Sequence, residues 1–507
     1  MQRPASGIGC LAVLSVVLLG GCAVIPMPLT SEEIVAGTQD KLTRVTRDQE
    51  PLSGVVDLQE AMARALKYNL DQKVEIYETA LRTAELGLAH YSMLPNAVAN
   101  SGYAVRNNQS GSSSFNLLTG TQNFGYSTSQ DIRDRTAELT FSWSVLDFGL
   151  SYVRARQAAD KALMAEEARR KVVHRLMEDV RTAYWRAYSA QKLASNLKTL
   201  ERRTKTALAG STALTDDRTT SPLTALTYRR ELIEIQRTLQ ELQRELAVAK
   251  YQLAALMNVA PGTPFTLAAP SSGPLSTYMS APVSEMVQVA IDNRPEIRDI
   301  DYRKRINMRE ADAALLEMLP GIQLYAGPNY DSNSFLLNHD WLSWGAKASW
   351  NLMKVFQYPA KRDLITGQDQ ALDQRALALT MAIMTQIHVG RARMFHFRRE
   401  IETASAYQRT QQELLRAIRS EFTANKVSEQ TLLREELNAA VGQVRLDIAR
   451  ASLETANANL LASMGLDPRG DGISRTSTVA QIAAVLRQGG PVPAPTGGTM
   501  KVARAKD

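Results

Sequence analysis

Ala137-Glu138-Leu139-Thr140-Phe141-Ser142-Trp143-Ser144-Val145 alternates apolar and polar residues without a break, and Leu146-Asp147-Phe148-Gly149 follows it directly. Period two places Ala137, Leu139, Phe141, Trp143 and Val145 on one face of a strand and the Glu, Thr and Ser residues on the other. The chain does this twice. Trp344, Ala346, Ala348, Trp350 and Leu352 alternate with Ser343, Gly345, Lys347, Ser349 and Asn351. From Trp143 and Trp350 alike, 114 residues lead to a Met (Met257, Met464) and four more to a Pro (Pro261, Pro468).

Working outward, the duplication holds by subtraction. Leu58, Glu60, Ala65, Glu85, Leu94 and Pro95 recur 225 residues later as Val283, Glu285, Ala290, Glu310, Leu319 and Pro320, and Met93-Leu94-Pro95 matches Met318-Leu319-Pro320 outright. Downstream the offset is 207, where Ser142, Ser221 and Leu226 reappear as Ser349, Ser428 and Leu433, so 225 − 207 = 18 residues are lost between Pro95 and Trp143. An interval above 200 residues is too long for a solenoid unit and implies a duplicated domain half.

Around each alternating segment the pattern is helical. Leu58, Ala61, Ala65, Leu66, Leu81, Leu86 and Ala89 recur at helix spacings, which predicts a helix from Leu58 to Leu94 stopped by Pro95. Strands are expected over about 96–106, 136–146, 321–330 and 342–352, with a Ser-, Gly- and Asn-rich loop from Asn107 to Gly125. Long helices of some sixty residues, each extending about 90 Å at 1.5 Å per residue, are expected over Leu150–Ala209 and Ala360–Ala424. Ala155, Ala158, Ala162 and Ala165 form a small-residue stripe on the first. Return helices Pro222–Met257 and Glu429–Met464 are shorter, so each should stack end to end with a helix of the Leu58 type against one long helix. The non-helical segments, Val259–Pro282 and Leu466 onward, would then form a belt at mid-height. Four strands of about ten residues are long enough to cross a bilayer when tilted, but four cannot close a barrel wide enough to conduct. Either they cover a soluble core or several chains pool them.

The ends and the composition narrow the class. Residues 1–21 carry one charge, Arg3, and an apolar run from Ile8 to Leu19, the pattern of a signal peptide. Leu19-Gly20-Gly21-Cys22 resembles the lipobox of bacterial lipoproteins, which implies a covalent lipid on Cys22, and Ala23 after it implies the outer membrane. Cys10 lies within the signal, so no disulfide can form in the mature chain. Removing Arg3 reduces the net charge from +7 to +6, and no long basic run points to nucleic acid. The mature chain has no apolar run of transmembrane-helix length, so a membrane crossing would need a closed barrel. The five histidines form no HExxH or His/Cys cluster, and the Met381, Met384 and Met394 spacing reads as packing. His388 and His396 lie two helical turns apart and read as a satisfied or exposed pair and not as a metal site. No catalytic site, metal or cofactor is expected beyond the lipid, and the chain is not read as an enzyme.

With these features in order and in duplicate, the sequence resembles the TolC family of outer-membrane efflux proteins over about residues 57–470. The motifs are Ala65-Leu66-Lys67-Tyr68-Asn69 and Asp292-Asn293-Arg294-Pro295-Glu296 at the repeat starts and Trp143 to Gly149 after the strand. Ala254-Ala255-Leu256-Met257 and Ala462-Ser463-Met464-Gly465 at the helix ends complete them. The resemblance implies a mainly α fold with a transmembrane β-barrel contribution: a homotrimer pooling twelve strands into one barrel joined to a periplasmic α-helical tube. It implies repeat 1 over 58–257 and repeat 2 over 283–464. A signal peptide (1–21), an extended, lipid-anchored leader (22–57), an inter-repeat equatorial linker (258–282), an equatorial C-terminal segment (465–486) and a disordered tail (487–507) complete the chain. Phe141, Trp143, Trp344 and Trp350 would face lipid, the Trp residues near its interfaces.

The helical turns at about 210–221 and 424–428 would be periplasmic tips docking an adaptor, through Arg218, Thr219, Thr220 and Ser221, and through Asn425, Lys426, Val427 and Ser428. Ser221 and Ser428 also suit helix N-caps, and the family's usual tip glycine is absent from both. Thr431 and Arg434 stand where the second return helix would usually carry gate Asp residues. Asp216, Asp217, Glu429, Glu435 and Glu436 are the candidate entrance charges, either lining the lumen or lying on a solvated outer face. The implied partners are the chain itself, a periplasmic adaptor, an inner-membrane pump of RND or ABC type, and outer-membrane lipid of a Gram-negative bacterium. Passive efflux of small molecules is the function implied. The exit duct of a type I protein or polysaccharide secretion system, and a non-conducting structural lipoprotein spanning the periplasm, are the alternatives. Lys354-Val355-Phe356 departs from Asp147-Phe148-Gly149, so the second barrel-to-helix junction is expected to differ.

Overall fold

The computed structural model describes residues 27–47, 49–52, 54–216, 222–270, 281–466 and 476–488. Two units are distinguished, Met1–Pro51 and Leu52–Asp507. In the first, α1 (Ser31–Arg44) is helical where an extended leader is expected. Thr30 starts it with a capping box: its side chain accepts from the Glu33 N–H at 3.2 Å, and the Glu33 carboxylate accepts from the Thr30 N–H at 2.8 Å.

The second unit begins with β1 (Val55–Val56), α2 (Leu58–Tyr68), α3 (Leu70–Tyr91), β2 (Asn96–Val105), the short strands β3 (Phe115–Asn116) and β4 (Thr121–Gln122), and β5 (Arg133–Ser144). There follow α4 (Val145–Asp216), α5 (Pro222–Leu256), β6 (Thr266–Leu267), α6 (Val283–Asn293) and α7 (Pro295–Leu316). The chain continues through β7 (Gly321–Asp331), β8 (Asp340–Ser349), α8 (Met353–Thr423), α9 (Glu429–Ser463) and α10 (Val479–Gln488). At 72 and 71 residues, α4 and α8 outrun their sequence bounds, and each extends roughly 105 Å.

The single helix expected from Leu58 to Leu94 is two. Asn69 closes α2 and caps α3, its side chain accepting from the Gln72 N–H at 3.2 Å. In the second repeat Arg294 holds this position ahead of Pro295, and a residue before proline is pushed out of the helical region. The belt is also more ordered than its composition implies. Val55 and Val56 pair in parallel with Thr266 and Leu267, and α10 packs on α2 through Val479, Ile482 and Ala483 against Ala63 and Tyr68. Residues 479–488 are therefore helical, into the stretch expected to be tail, while 489–507 lie outside the described residues.

The helix ends obey the repeat arithmetic. Asn258 and Gly465, 207 apart, both adopt left-handed backbone, φ 57° and 69°, two positions past the end of α5 and α9. In each the next two N–H groups close the same pair of carbonyls: Asn258 to Ala255 and Val259 to Ala254, Gly465 to Ala462 and Leu466 to Leu461.

Contacts along α4 show the stacking. Arg154 reaches Glu310 of α7 at 2.5 Å, Arg305 and Arg309 of α7 hold Asp160, and further on Thr182 meets Thr455 of α9 at 3.0 Å. On another face Thr79 of α3 bonds to Ala165, and Gln243 of α5 bonds to Glu201 at 2.9 Å. Lys361 and Gln408 of α8 likewise reach Glu317, the C-cap of α7, and Gln443 of α9. The helical layer is thus a row of four: the α3 and α5 stack, α4, the α7 and α9 stack, and α8.

The sheet has order β2-β5-β7-β8, antiparallel throughout. Opposed residues share a face. Ala97 with Phe141, Ala99 with Leu139, Trp143 with Leu324, Ala326 with Trp344 and Ile322 with Ala348 form an apolar face. The other face is polar, with Asn100 donating to Glu138 and Asn329 donating to Ser343 at 2.7 Å. β5 enters α4 without an intervening residue, whereas Trp350, Asn351 and Leu352 separate β8 from α8. The two junctions do differ in shape. Long and short connections join the strand pairs, residues 106–132 and 332–339, which is where the repeats lose register.

Candidate functional site

The positions of the aromatic residues follow from the strand register. Phe141, Trp143 and Trp344 lie on the apolar face, and Trp344 is 78 % exposed, so none of the described residues covers it. Trp143 meets Phe148 edge to face at 5.6 Å. Trp350 lies just beyond β8, its indole N–H donating to the Met318 carbonyl at 2.9 Å. Among the described residues, β2 pairs in this sheet only with β5 and β8 only with β7. Each outer strand therefore leaves one row of backbone donors and acceptors without a strand partner.

At the far end of the helices, α8 turns into α9 through Ala424 to Ser428. Asn425 takes left-handed backbone at φ 56°, and the N–H groups of Asn425 and Lys426 close on Phe422 and Glu421 carbonyls at 2.9 Å. Asn425 thus does the conformational work that glycine would otherwise do there, since Asn tolerates this region better than other side chains. Ser428 caps α9, accepting from the Thr431 N–H at 3.3 Å. Lys426 and Val427 complete the turn. Arg218, Thr219, Thr220, Ser221 and Asp217 lie outside the described residues, and Asp216 is the last residue of α4.

The described acidic residues do not share one environment. Glu435 is 8 % exposed, accepting from Gln411 of α8 at 2.9 Å and from Asn438 at 3.2 Å. Its carboxylate belongs to the packing between α8 and α9, not to an open surface, because burial requires these hydrogen bonds. Glu436 joins three helices: Arg203 of α4 pairs with one oxygen and Arg419 of α8 with the other, the latter at 3.1 Å. Glu429, half exposed, lies 4.0 Å from Arg203. Arg434 projects beside Glu435 at 3.5 Å. The sequence reading missed Arg203, Gln411 and Arg419. A signal for Arg419 exists, since folding α8 onto α9 about the turn brings residues equally distant from it face to face. Arg203 lies 233 residues from Glu436, and no local pattern marks it.

His388 and His396 are exposed on α8, while Met394 is fully buried among Leu453, Ala456 and their neighbours. No group of three or more His, Cys, Asp and Glu among the described residues could hold a metal ion, and no described helix is long and apolar enough to cross a membrane. Cys22 lies outside the described residues.

A duplicated chain whose four-stranded sheet continues into a four-membered row of helices has the fold of outer-membrane channel proteins, mainly helical with a strand contribution, and the fold expected from the resemblance is met. In particular, it superposes on the Campylobacter jejuni CmeC outer membrane channel with TM-score 0.63 and 12% identity over 92% of this chain and 98% of that one. It matches CusC, whose structures concern folding and transmembrane channel formation, with TM-score 0.61 and 17% identity over 82% and 95%. The open state of the Neisseria gonorrhoeae MtrE outer membrane channel gives TM-score 0.59 and 15% identity over 88% and 98%. These structural neighbours are channels and not enzymes. No family model matches the sequence, and no curated protein does.

Proposed function

We propose that the chain is an outer-membrane channel assembled as a homotrimer, the exit duct of a tripartite efflux system. The observation that carries this is the sheet: among the described residues, nothing covers its apolar face and no strand pairs with the free edges of its two outer strands. An apolar face belongs in lipid, and lipid tolerates strands only in a closed barrel. Three copies edge to edge supply twelve strands, with Phe141, Trp143, Trp344 and Trp350 against lipid and the polar face inward. The same threefold axis closes three rows of four helical strands into a tube.

In this reading Asn425 to Ser428 and Arg218 to Ser221 form the tips that meet a periplasmic adaptor, an inner-membrane pump of RND or ABC type supplies the energy, and solutes move passively. Cys22 carries the lipid anchor. A Cys22→Ser chain that still incorporated labelled palmitate would remove that element. Of the described carboxylates, Glu429 has the exposure that a lumen position needs, and a threefold ring of it would favour cations. The test of the whole reading is single-channel recording from purified protein in planar bilayers. Discrete conductance steps are expected, larger in variants that cut the Glu436 pairs, and no conductance in any of them overturns it.

A further inference from the structure

Where the last turn of α9 meets the first turn of α7, α4 and α8 leave a crevice of about 440 Å³. Its charge is unbalanced. Lys171 and Arg175 from α4, Arg294 at the start of α7 and Arg393 from α8 line it against two carboxylates, Glu178 and Glu296. Arg294 and Glu296 satisfy each other through two hydrogen bonds of 3.1 Å, and Arg294 also donates to Gln386 at 2.6 Å. Among the described residues, no carboxylate lies within ion-pair distance of Lys171, Arg175 or Arg393. Three cations thus surround the crevice against one acid, Glu178, which shares a side-chain hydrogen bond with Asn459 and whose ionisation burial and the neighbouring Asp179 on balance disfavour.

A second observation sets the ligand's chemistry. The Asn459 side-chain oxygen lies in the crevice wall, buried and without a hydrogen-bond partner. An orphaned acceptor calls for a donor, which a simple anion does not offer. His174 lines the same space, neutral because burial and the charges of Arg170 and Arg294 hold it down to about 4 against the pull of Glu296.

We propose that this crevice binds a small hydroxylated polyanion, a hydroxy-tricarboxylate in class, with Arg175 and Arg393 as charge partners and Asn459 accepting from its hydroxyl. Charge-assisted hydrogen bonds from two guanidinium groups supply the affinity. The hydroxyl supplies the selectivity, because a ligand lacking it leaves Asn459 unpaired.

Calorimetry on the purified full-length chain at low salt and pH 7 tests this with citrate and with tricarballylate, which lacks the hydroxyl. Citrate should bind several-fold tighter than tricarballylate. Arg175→Gln with Arg393→Gln should weaken citrate by roughly tenfold or more. Glu178→Gln, isosteric and removing the opposing charge, should tighten it. Asn459→Ala should erase the difference between the two ligands. No citrate binding by the folded wild-type chain, or binding indifferent to both the Arg and the Glu178 substitutions, overturns the site. The readout is independent of conduction: a channel that conducts but binds no citrate loses the site alone, and a chain that binds but never conducts loses the channel reading alone.

Discussion

Arg419 of α8 and Glu436 of α9 meet at 3.1 Å across the hairpin that ends at Asn425, and the second oxygen of the same carboxylate is held by Arg203 of α4. One side chain therefore fastens the hairpin to itself and to the long helix of the other repeat. Glu436→Ala leaves Arg419 without its counter-charge and Arg203 with Glu429 alone at 4.0 Å, and should cost about 1–2 kcal/mol. A double-mutant cycle with Arg419→Ala should give a coupling of roughly 0.5–1 kcal/mol, measured by denaturant unfolding. Hydrogen exchange at residues 429–437 should quicken, and unchanged protection would show that the network does not hold the tip.

Gly465→Ala should destabilise the chain, while Gly87→Ala should stabilise it. A Cβ on Gly465 would sit 2.8 Å from the Asn293 backbone at a φ of +69°, whereas one on Gly87, inside α3, meets nothing within 4 Å. Helix propensity alone gives Gly87→Ala about 0.5–1 kcal/mol. Thermal melts of the two variants should move in opposite directions.

Gly327→Ala should prevent the sheet from forming. A Cβ there would lie 1.8 Å from the Leu139 carbonyl oxygen, inside the seam that joins the two repeats. Pro328 beside it has no N–H, so the seam already lacks a ladder bond at this point. Loss of strand signal in the circular dichroism of the purified chain is the expected outcome, and an unchanged spectrum would mean that β5 and β7 can part without harm.

Stability should fall between pH 6.5 and about 4 on account of His174. Burial, then Arg170, hold its folded value near 4 against a usual 6.5, so within that window the unfolded chain binds the extra proton. The contribution is complete above pH 6.5, is lost as pH falls, and levels out below about 4, roughly 3 kcal/mol in total. Glu296 acts lower: burial would raise its pKa, but Arg294 and its hydrogen bonds lower it from 4.5, so its share is lost only below that value. Unfolding midpoints of His174→Gln at pH 7 and 4.5 should differ less than those of the wild-type chain.

Much of this architecture was legible because its signals are local or arithmetical. The strands at Trp143 and Trp344 show period two, the long helices carry no proline beyond Pro359 near the start of α8, and the offsets of 225 and 207 align two halves without reference to space. Local signals also misled. Apolar spacing ran straight through Asn69, where a side-chain cap divides the helix, and a capping box made Ser31–Arg44 helical within a segment read as extended. Residues 479–488 carry only a short amphipathic pattern, and their helix depends on the groove that α2 presents.

By itself the sequence determined the elements, their duplication and which residues of each strand share a face, since these depend on periodicities of two and 3.6 that each segment carries alone. Only the tertiary structure decided which carboxylates are spoken for. Glu435 and Glu436 are neighbours in sequence, yet a helix turns about 100° between them. One is buried against Gln411, and the other is clamped between Arg419 across the hairpin and Arg203, supplied by a helix 233 residues away that no local pattern could have brought there.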